Sequence, residues 1–213
     1  MVITNTSQIG LAMIKSMQNK IESNTLFPIF VKLEKIHILL VGGGKVALEK
    51  LNAIYKSYSD SNLTIVGKNI SHEIRQLASQ MPNTVLIERE FNPDDLENKQ
   101  IVIAATDDRL LHEKISSVCL QKNILCNIAD TPDLCSFYLG SIVHKGNLKI
   151  AISTNGKSPT VAKKIREVLE DTFPDEIETT LENLDKIRKR ISGNFTEKVK
   201  KLNDLTSVLL EKE

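Results

Sequence analysis

The sequence predicts an α/β fold, a doubly wound parallel sheet with helices on both faces, and two features of the chain support this. Short apolar runs alternate with helical segments from about residue 28 onward. The run HILLV at residues 37–41 is continuous, which is typical of a strand buried on both faces of a parallel sheet. Alternation of strands and helices at this spacing favours parallel pairing through right-handed crossovers.

Five strands and three helices are predicted for this sheet, within one domain at residues 26–131. The strands are expected at residues 37–41, 63–66, 84–87, 101–105 and 124–129. The helices between them are expected at residues 46–55, 70–80 and 108–121.

A smaller α+β region is predicted at residues 132–173. Two strands are expected at residues 137–143 and 148–153, separated by a turn at residues 144–147. Ser158-Pro159 is typical of a helix start, a capping serine followed by proline at the first helical position. We expect the buried face of this helix to consist of Val161, Ile165, Val168 and Leu169.

A helical region is predicted at residues 174–213, with two amphipathic helices on either side of a break at residues 192–194. Their apolar residues are Ile177, Leu181, Leu184, Ile187 and Ile191, then Phe195, Val199, Leu202, Leu205 and Leu209. Such stripes need a partner surface, and both packing on the chain's own sheet domain and dimerisation stay open. An N-terminal extension, residues 1–25, contains a third apolar set without an assigned function: Ile9, Leu11, Ile14, Met17 and Ile21.

Composition and charge argue against several classes of protein. Hydrophobic residues make up 41% and charged residues 26% of the 213 residues, which is typical of a globular chain. Lys and Arg total 28 against 27 Asp and Glu, so the net charge of +1 argues against a nucleic-acid-binding protein. No apolar run is long enough to span a membrane and no secretory signal is recognisable, so we expect a cytoplasmic protein with no membrane partner.

The cysteine and histidine residues do not predict a metal site. Cys119, Cys126 and Cys135 lack C-x-x-C spacing, and His112 lacks a second histidine at the spacing that zincins require. We expect buried, reduced thiols and no preformed metal site.

The segment VGGGKVA at residues 41–47 matches the pattern G-x-G-x-x-A. Gly42 permits a tight turn out of the strand, Gly44 lets the backbone approach a pyrophosphate, and Ala47 lets the helix pack closely on the sheet. The helix that follows offers free N–H groups and a positive dipole end to the phosphates. Because the motif lies between a strand and a helix, it predicts a Rossmann-type dinucleotide site, with a structural glycine turn as the alternative.

The choice of nucleotide stays open at this point. Nicotinamide-binding domains usually carry Asp or Glu at the end of the second strand, to hold the ribose hydroxyls. This chain has Gly67-Lys68-Asn69 there, and Asp60 lies before the strand. Since Lys68 suggests a 2′-phosphate, the residues alone do not separate NAD from NADP.

Polar residues follow three later strands, at the edge where open α/β sheets bind ligands. Thr106 and Asp107 are candidates to line the cofactor crevice, although capping of the next helix is favoured for Asp107 or Asp108. Asp130 either accepts a proton in the crevice or serves as a turn residue before proline. The loop STNGKSP at residues 153–159 is either an anion site or a well-capped helix start.

Five blocks of the chain resemble the precorrin-2 dehydrogenase family, which also forms the N-terminal part of siroheme synthases. The blocks are LFPIF, VGGGKVALEK, IVIAATDD, CNIADTPDLCSFYLGSIV and AISTNGKSP, within about residues 26–173. The family pattern also lacks the acidic residue after the second strand. The resemblance implies NAD-dependent oxidation of precorrin-2 to sirohydrochlorin, a step toward siroheme, and in some members insertion of ferrous iron into sirohydrochlorin.

The resemblance also implies roles for individual residues. Asp130 matches the catalytic aspartate. The expected cofactor contacts, with Gly42 and Thr106 added from the strand ends, are Gly42, Gly44, Lys45, Val46, Lys68, Asn69 and Thr106. The carboxylates of the tetrapyrrole are expected against Thr154, Asn155, Gly156, Lys157 and Ser158. Thr154 stands where some siroheme synthases carry a phosphorylated serine, which argues against that modification here.

Family members form homodimers through the region after the nucleotide domain, so the resemblance favours a homodimer. The chain has no room for the methyltransferase domain of fused siroheme synthases, so we expect a separate enzyme to supply precorrin-2. The alternative function is a non-catalytic nucleotide-sensing module, which needs neither the NIADTP nor the STNGKSP block.

Overall fold

The structure, a computed structural model, describes residues 24–174 and 176–206. Its main body is a five-stranded sheet with only parallel pairings, in the order β3-β2-β1-β4-β5. The strands are β1 (His37–Val41), β2 (Asn62–Gly67), β3 (Thr84–Glu88), β4 (Ile101–Ala104) and β5 (Leu125–Ile128). The predicted doubly wound sheet is confirmed, and its topological switch point lies between β1 and β4.

Three helices connect these strands: α1 (Lys45–Ser57), α2 (His72–Ala78) and α3 (Arg109–Gln121). Helix α2 is shorter than the predicted residues 70–80 because the Ser71 side chain ends the preceding loop by capping the helix. Its hydroxyl oxygen accepts a hydrogen bond from the Ile74 N–H at 3.3 Å, which satisfies one of the free amides of the first turn.

The core lies in two layers, one on each face of the sheet. Ile38 and Leu40 of β1 pack in the layer that contains Leu51 of α1, whereas Leu39 and Val41 pack in the layer that contains Ile115 of α3. Burial on both faces explains the continuous apolar run of β1. Burial of each such side chain contributes about 1.5–3 kcal/mol to the stability of the fold. The strand ends that carry the loops are therefore fixed by a well-packed core.

A separate antiparallel hairpin follows, formed by β6 (Ser141–Lys145) and β7 (Leu148–Ile152). The predicted strand at residues 137–143 was wrong in its start. The preceding residues lie along β5 instead, because the Asn127 side-chain amide donates to the Phe137 carbonyl oxygen at 2.9 Å. His144 and Lys145 belong to β6, so the turn is the Gly146-Asn147 pair alone.

Helix α4 (Pro159–Thr172) packs on this hairpin, and of the residues predicted for its buried face only Leu169 is half-buried. Ala162 is buried, whereas Val161, Ile165 and Val168 are 49%, 41% and 56% exposed. Two strands cover only one narrow side of the helix, so the apolar stripe that periodicity assigned to the core remains on the surface of a single chain.

Two further helices, α5 (Ile177–Arg190) and α6 (Phe195–Thr206), pack against each other. A cleft of about 290 Å³ between them is lined by Leu181, Leu184, Asp185, Arg188, Leu202 and Thr206. Glu178 of α5 reaches the hairpin turn, where its carboxylate accepts the backbone N–H of Asn147 at 2.6 Å.

Some predictions fall on residues outside this description. The apolar set of residues 1–23 and the last apolar position of the C-terminal pattern, Leu209, lie outside the described residues. Within residues 24–174 and 176–206, none of the helices combines the length and apolar character needed to cross a bilayer.

Candidate functional site

The turn between β1 and α1 packs two of its glycines tightly and leaves the third open. Gly42 has a φ of 132°, and a Cβ there would clash with the carbonyl oxygen of Ala105. A Cβ on Gly43 would clash with the carbonyl oxygen of Asn69, a constraint that the motif did not reveal. A Cβ on Gly44 would meet no atom within 4 Å. The backbone of Gly44 is therefore accessible to a ligand.

Gly44 is also the N-cap of α1, whose first helical bond runs from Leu48 N–H to the Gly44 carbonyl at 3.0 Å. Because glycine has no side chain, the N–H groups that open the helix lack a side-chain cap. Lys45 and Val46 begin this first turn and are exposed. Free amides, a positive dipole end and an open approach fit the diphosphate of a dinucleotide.

The segment after β2 lies beside the glycine turn and is joined to it. The Ser71 N–H donates to the Gly43 carbonyl oxygen at 2.9 Å. Lys68 and Asn69 are exposed there, and the Lys68 ammonium lies 3.1 Å from a carboxylate oxygen of Glu90. These two predicted contact residues are therefore placed at the same sheet edge as the glycine turn.

Glu88, the last residue of β3, holds this segment in place. Its carboxylate accepts the Ile70 N–H at 3.0 Å and pairs with the Arg75 guanidinium at 2.6 Å. The hydrogen bond from Ile70, followed by that from Arg75, lowers the pKa of Glu88. Sequence reasoning missed Glu88, because its partners lie in a different loop and helix.

The end of β4 supplies Thr106 on the other side of the switch point. Its hydroxyl lies 2.9 Å from Nε2 of the buried His112 of α3. Burial lowers the pKa of His112, and Asp108 opposes that effect. Asp108 itself caps α3, since its carboxylate accepts the Leu111 N–H at 3.0 Å, as the sequence favoured. The Thr106–His112 contact was not predicted.

Asp130 follows β5 and is exposed, in the left-handed region with a φ of 55°. Only β4 lies between β5 and β1, so two strand spacings, about 10 Å, separate their ends. The topology therefore brings the Asp130 turn, Thr106 and the glycine turn to one edge of the sheet.

The loop from Thr154 to Ser158 belongs to the hairpin unit and not to the sheet edge. Thr154 is hydrogen-bonded to both backbone groups of Ser158, accepting its N–H at 3.2 Å and donating to its carbonyl at 3.1 Å. The Ser158 hydroxyl caps α4 by accepting the Val161 N–H. Asn155 and Gly156 adopt positive φ values, and Lys157 is exposed. The capped helix start is thus observed, and the anion site stays a prediction.

All three cysteines are free thiols in or beside β5. Cys119 and Cys126 are buried and hydrogen-bonded to each other, which raises the pKa of the Cys126 thiol and lowers that of Cys119. Cys135 is half-buried, and burial raises the pKa of its thiol. In the described part of the chain, no three His, Cys, Asp or Glu residues are grouped so that they could hold a metal ion.

Comparison with protein families gives two adjacent matches. Residues 29–141 match an NAD(P)-binding family, and residues 145–172 match a family described as "Sirohaem biosynthesis protein central". The boundary between the matches falls within β6.

Several siroheme synthases are similar to the chain. The chain is 35% identical over 173 residues to the siroheme synthase of Vesicomyosocius okutanii, covering 81% of this chain and 35% of that protein. It is 39% identical over 148 residues to the siroheme synthase of Psychrobacter cryohalolentis, covering 70% and 28%. The chain thus spans about a third of the length of these relatives.

A solved structure shares the fold. The protein titled "SirC, precorrin-2 dehydrogenase" superposes with a TM-score of 0.69 at 22% sequence identity, covering 84% of this chain and 89% of that one.

Proposed function

The chain belongs to the NAD(P)-binding family of siroheme-biosynthesis proteins, and from this membership we propose that it oxidises precorrin-2 to sirohydrochlorin with NAD. The names of the relatives and of the similar structure support this substrate class. The proposal depends on two groups that the fold brings to one edge of the sheet. The open amides at Gly44 lie two strands away from the exposed carboxylate of Asp130.

The residues at this edge would bind the cofactor and accept a proton from the substrate. Bound NAD supplies a hydride acceptor. Gly44 and the amides of Lys45 and Val46 would hold its diphosphate, and Lys68, Asn69 and Thr106 would line the rest of the crevice. Gly42 would only shape the turn, because its own N–H donates to the Val66 carbonyl at 2.8 Å. The overall reaction would remove a hydride from a saturated ring carbon of precorrin-2 and a proton from the macrocycle, so that the products would be sirohydrochlorin, NADH and H⁺. Asp130 would accept that proton, since a positioned carboxylate can serve as a general base.

The substrate's carboxylates would lie against residues 154–158, which combine a lysine with the N-terminus of α4. NAD is proposed over NADP because the Lys68 ammonium already pairs with Glu90 at 3.1 Å. A 2′-phosphate would have to displace this carboxylate or approach it, and like charges repel at such distances.

The direct test is to mix the protein with precorrin-2 and NAD and to follow the spectra of sirohydrochlorin and NADH. We expect both products in equal amounts, and slower turnover with NADP. Absence of both products while NAD still binds would favour the nucleotide-sensing alternative.

Replacement of the proposed base tests its role separately. Asp130→Ala should abolish turnover and leave NAD affinity almost unchanged, because the diphosphate site lies on β1. Asp133→Ala is the matched control, since Asp133 is an exposed carboxylate three residues away. Turnover of Asp130→Ala equal to the wild type would remove Asp130 from the mechanism.

The proposal extends to ferrous iron as a further substrate, because the relatives' name, siroheme synthase, denotes an iron-containing product. Sirohydrochlorin and ferrous iron would be mixed with the protein without oxygen. A rate of iron insertion above the protein-free control is expected, and a rate equal to that control would contradict this extension. The proposal also includes a homodimer.

A further inference from the structure

The backbone conformation at Asp130 must be stabilised by residues around the turn. Asp130 adopts a φ of 55°, a conformation that residues other than glycine take when the surroundings determine it. Within the turn, the bond from the Thr131 N–H to the Ile128 carbonyl is long, at 3.4 Å. The turn's own hydrogen bonding is therefore weak at its centre.

The Cys135 thiol, which follows the short helix Pro132–Leu134, stabilises the backbone of this turn. Its sulfur accepts the Ile128 N–H at 3.1 Å. It also lies 3.2 Å from the Ile128 carbonyl oxygen and 3.4 Å from that of Thr131, so the single S–H donates to one of these two at a time. The thiol therefore contacts the backbone on both sides of Asp130.

We propose that Cys135 is a positioning residue, whose thiol clamps the backbone before and after Asp130 and so directs that carboxylate toward the crevice. This inference rests on the proposed role of Asp130. The clamp needs a neutral thiol, because a thiolate has no hydrogen to donate, and burial raises the pKa of Cys135 in the required direction. A serine hydroxyl offers the same donor and acceptor, whereas alanine and valine offer neither.

The test compares three substitutions at this position. Cys135→Ala and Cys135→Val should each lower kcat by about 10-fold to 100-fold, since small misplacement of a reacting group has effects of that order. The KM for NAD should stay at the wild-type value, because the thiol does not contact the glycine turn. Cys135→Ser should recover most of kcat. A merely structural thiol would not give this split between kcat and KM or this rescue.

Cys119→Ala is the matched control, since it removes a buried thiol that contacts Cys126 and not the Asp130 turn. It should lower the melting temperature and leave kcat unchanged below that temperature. Wild-type kcat in Cys135→Ala or Cys135→Val, or failure of Cys135→Ser to recover activity, would overturn the inference. So would failure of both apolar variants to fold while Cys135→Ser stays active, since the thiol would then serve folding.

The same assays separate this inference from the proposed function. If the wild-type protein or Asp130→Ala behaves against expectation, the proposed function or the role of Asp130 fails. If Asp130→Ala is inactive while Cys135→Ala keeps full kcat, only the role of Cys135 fails.

Discussion

Three neighbouring glycines differ in what one added methyl group would do. At Gly42 the methyl group meets the Ala105 carbonyl, and the φ of 132° is strained for any L side chain. At Gly44 the backbone has a φ of −98° and the space around it is open. The first glycine is thus required by the fold, whereas the third is required only if a ligand approaches.

Gly42→Ala should therefore lower the free energy of unfolding by about 1–3 kcal/mol, the usual cost of a strained backbone. Gly44→Ala should keep the wild-type melting temperature and weaken NAD binding by about 1.5–3 kcal/mol, the worth of a hydrogen bond to a charged group. Thermal unfolding and titration calorimetry measure the two effects. Wild-type NAD affinity in Gly44→Ala would show that the diphosphate binds elsewhere.

Burial of His112 makes the stability of the fold depend on pH. Its pKa is lowered in the folded protein by burial, so the unfolded chain binds more protons at mildly acid pH. The stabilisation from neutral His112 is complete above the unfolded pKa of about 6.5 and is lost as the pH falls from that value through the lower pKa of the folded state. Denaturant unfolding across this range should show falling stability in the wild type. His112→Gln should show a shallower slope, and an equal slope would assign the loss to other groups.

At the scale of elements, the segment after β2 depends on one carboxylate at the end of β3. The Glu88–Arg75 pair is exposed on both sides, so solvent screening should keep its net contribution to stability small. The Glu88 carboxylate also accepts the Ile70 N–H, and this bond affects the position of the glycine turn. Ile70 immediately precedes Ser71, whose N–H donates to the Gly43 carbonyl.

We therefore expect Glu88→Ala to raise the KM for NAD while it leaves the melting temperature nearly unchanged. Glu88→Gln, which retains an oxygen acceptor for Ile70, should have a smaller effect. Glu113→Ala removes another exposed ion pair, with Arg109, and serves as the control. Steady-state assays with varied NAD measure the effect, and an unchanged KM in Glu88→Ala would refute the coupling.

The elements also show which features the sequence could predict. The β1, glycine turn and α1 series was predictable because strand, turn and helix signals are contiguous in the chain. The Asp108 cap was predictable for the same reason. Glu88, the Thr106–His112 contact and the Cys135 clamp were not, because each joins residues that only the folded chain brings together. Periodicity found the apolar stripe of α4 but could not say which surface covers it.

At the scale of the whole molecule, the exposed apolar stripe of α4 is a surface that the single chain does not cover. Val161, Ile165 and Val168 lie on one side of α4, away from the hairpin that buries Ala162. Ile142 of β6 is exposed as well. An exposed apolar stripe of this kind on a helix marks an interaction site, and a second copy of the chain offers the same surface around a two-fold axis.

Ile165→Asp should therefore convert a dimer to a monomer, because a charge would be buried at the centre of the stripe without a partner. Lys163→Glu is the control, since Lys163 is exposed and on a different side of the same helix, and it should leave the dimer intact. Sedimentation velocity over a range of concentrations measures both. A monomeric wild type would contradict the dimer, and a dimeric Ile165→Asp would place its interface elsewhere. The 154–158 loop begins this helix and is proposed to bind the carboxylates of the tetrapyrrole. Loss of the dimer should therefore also raise the KM for precorrin-2 more than that for NAD.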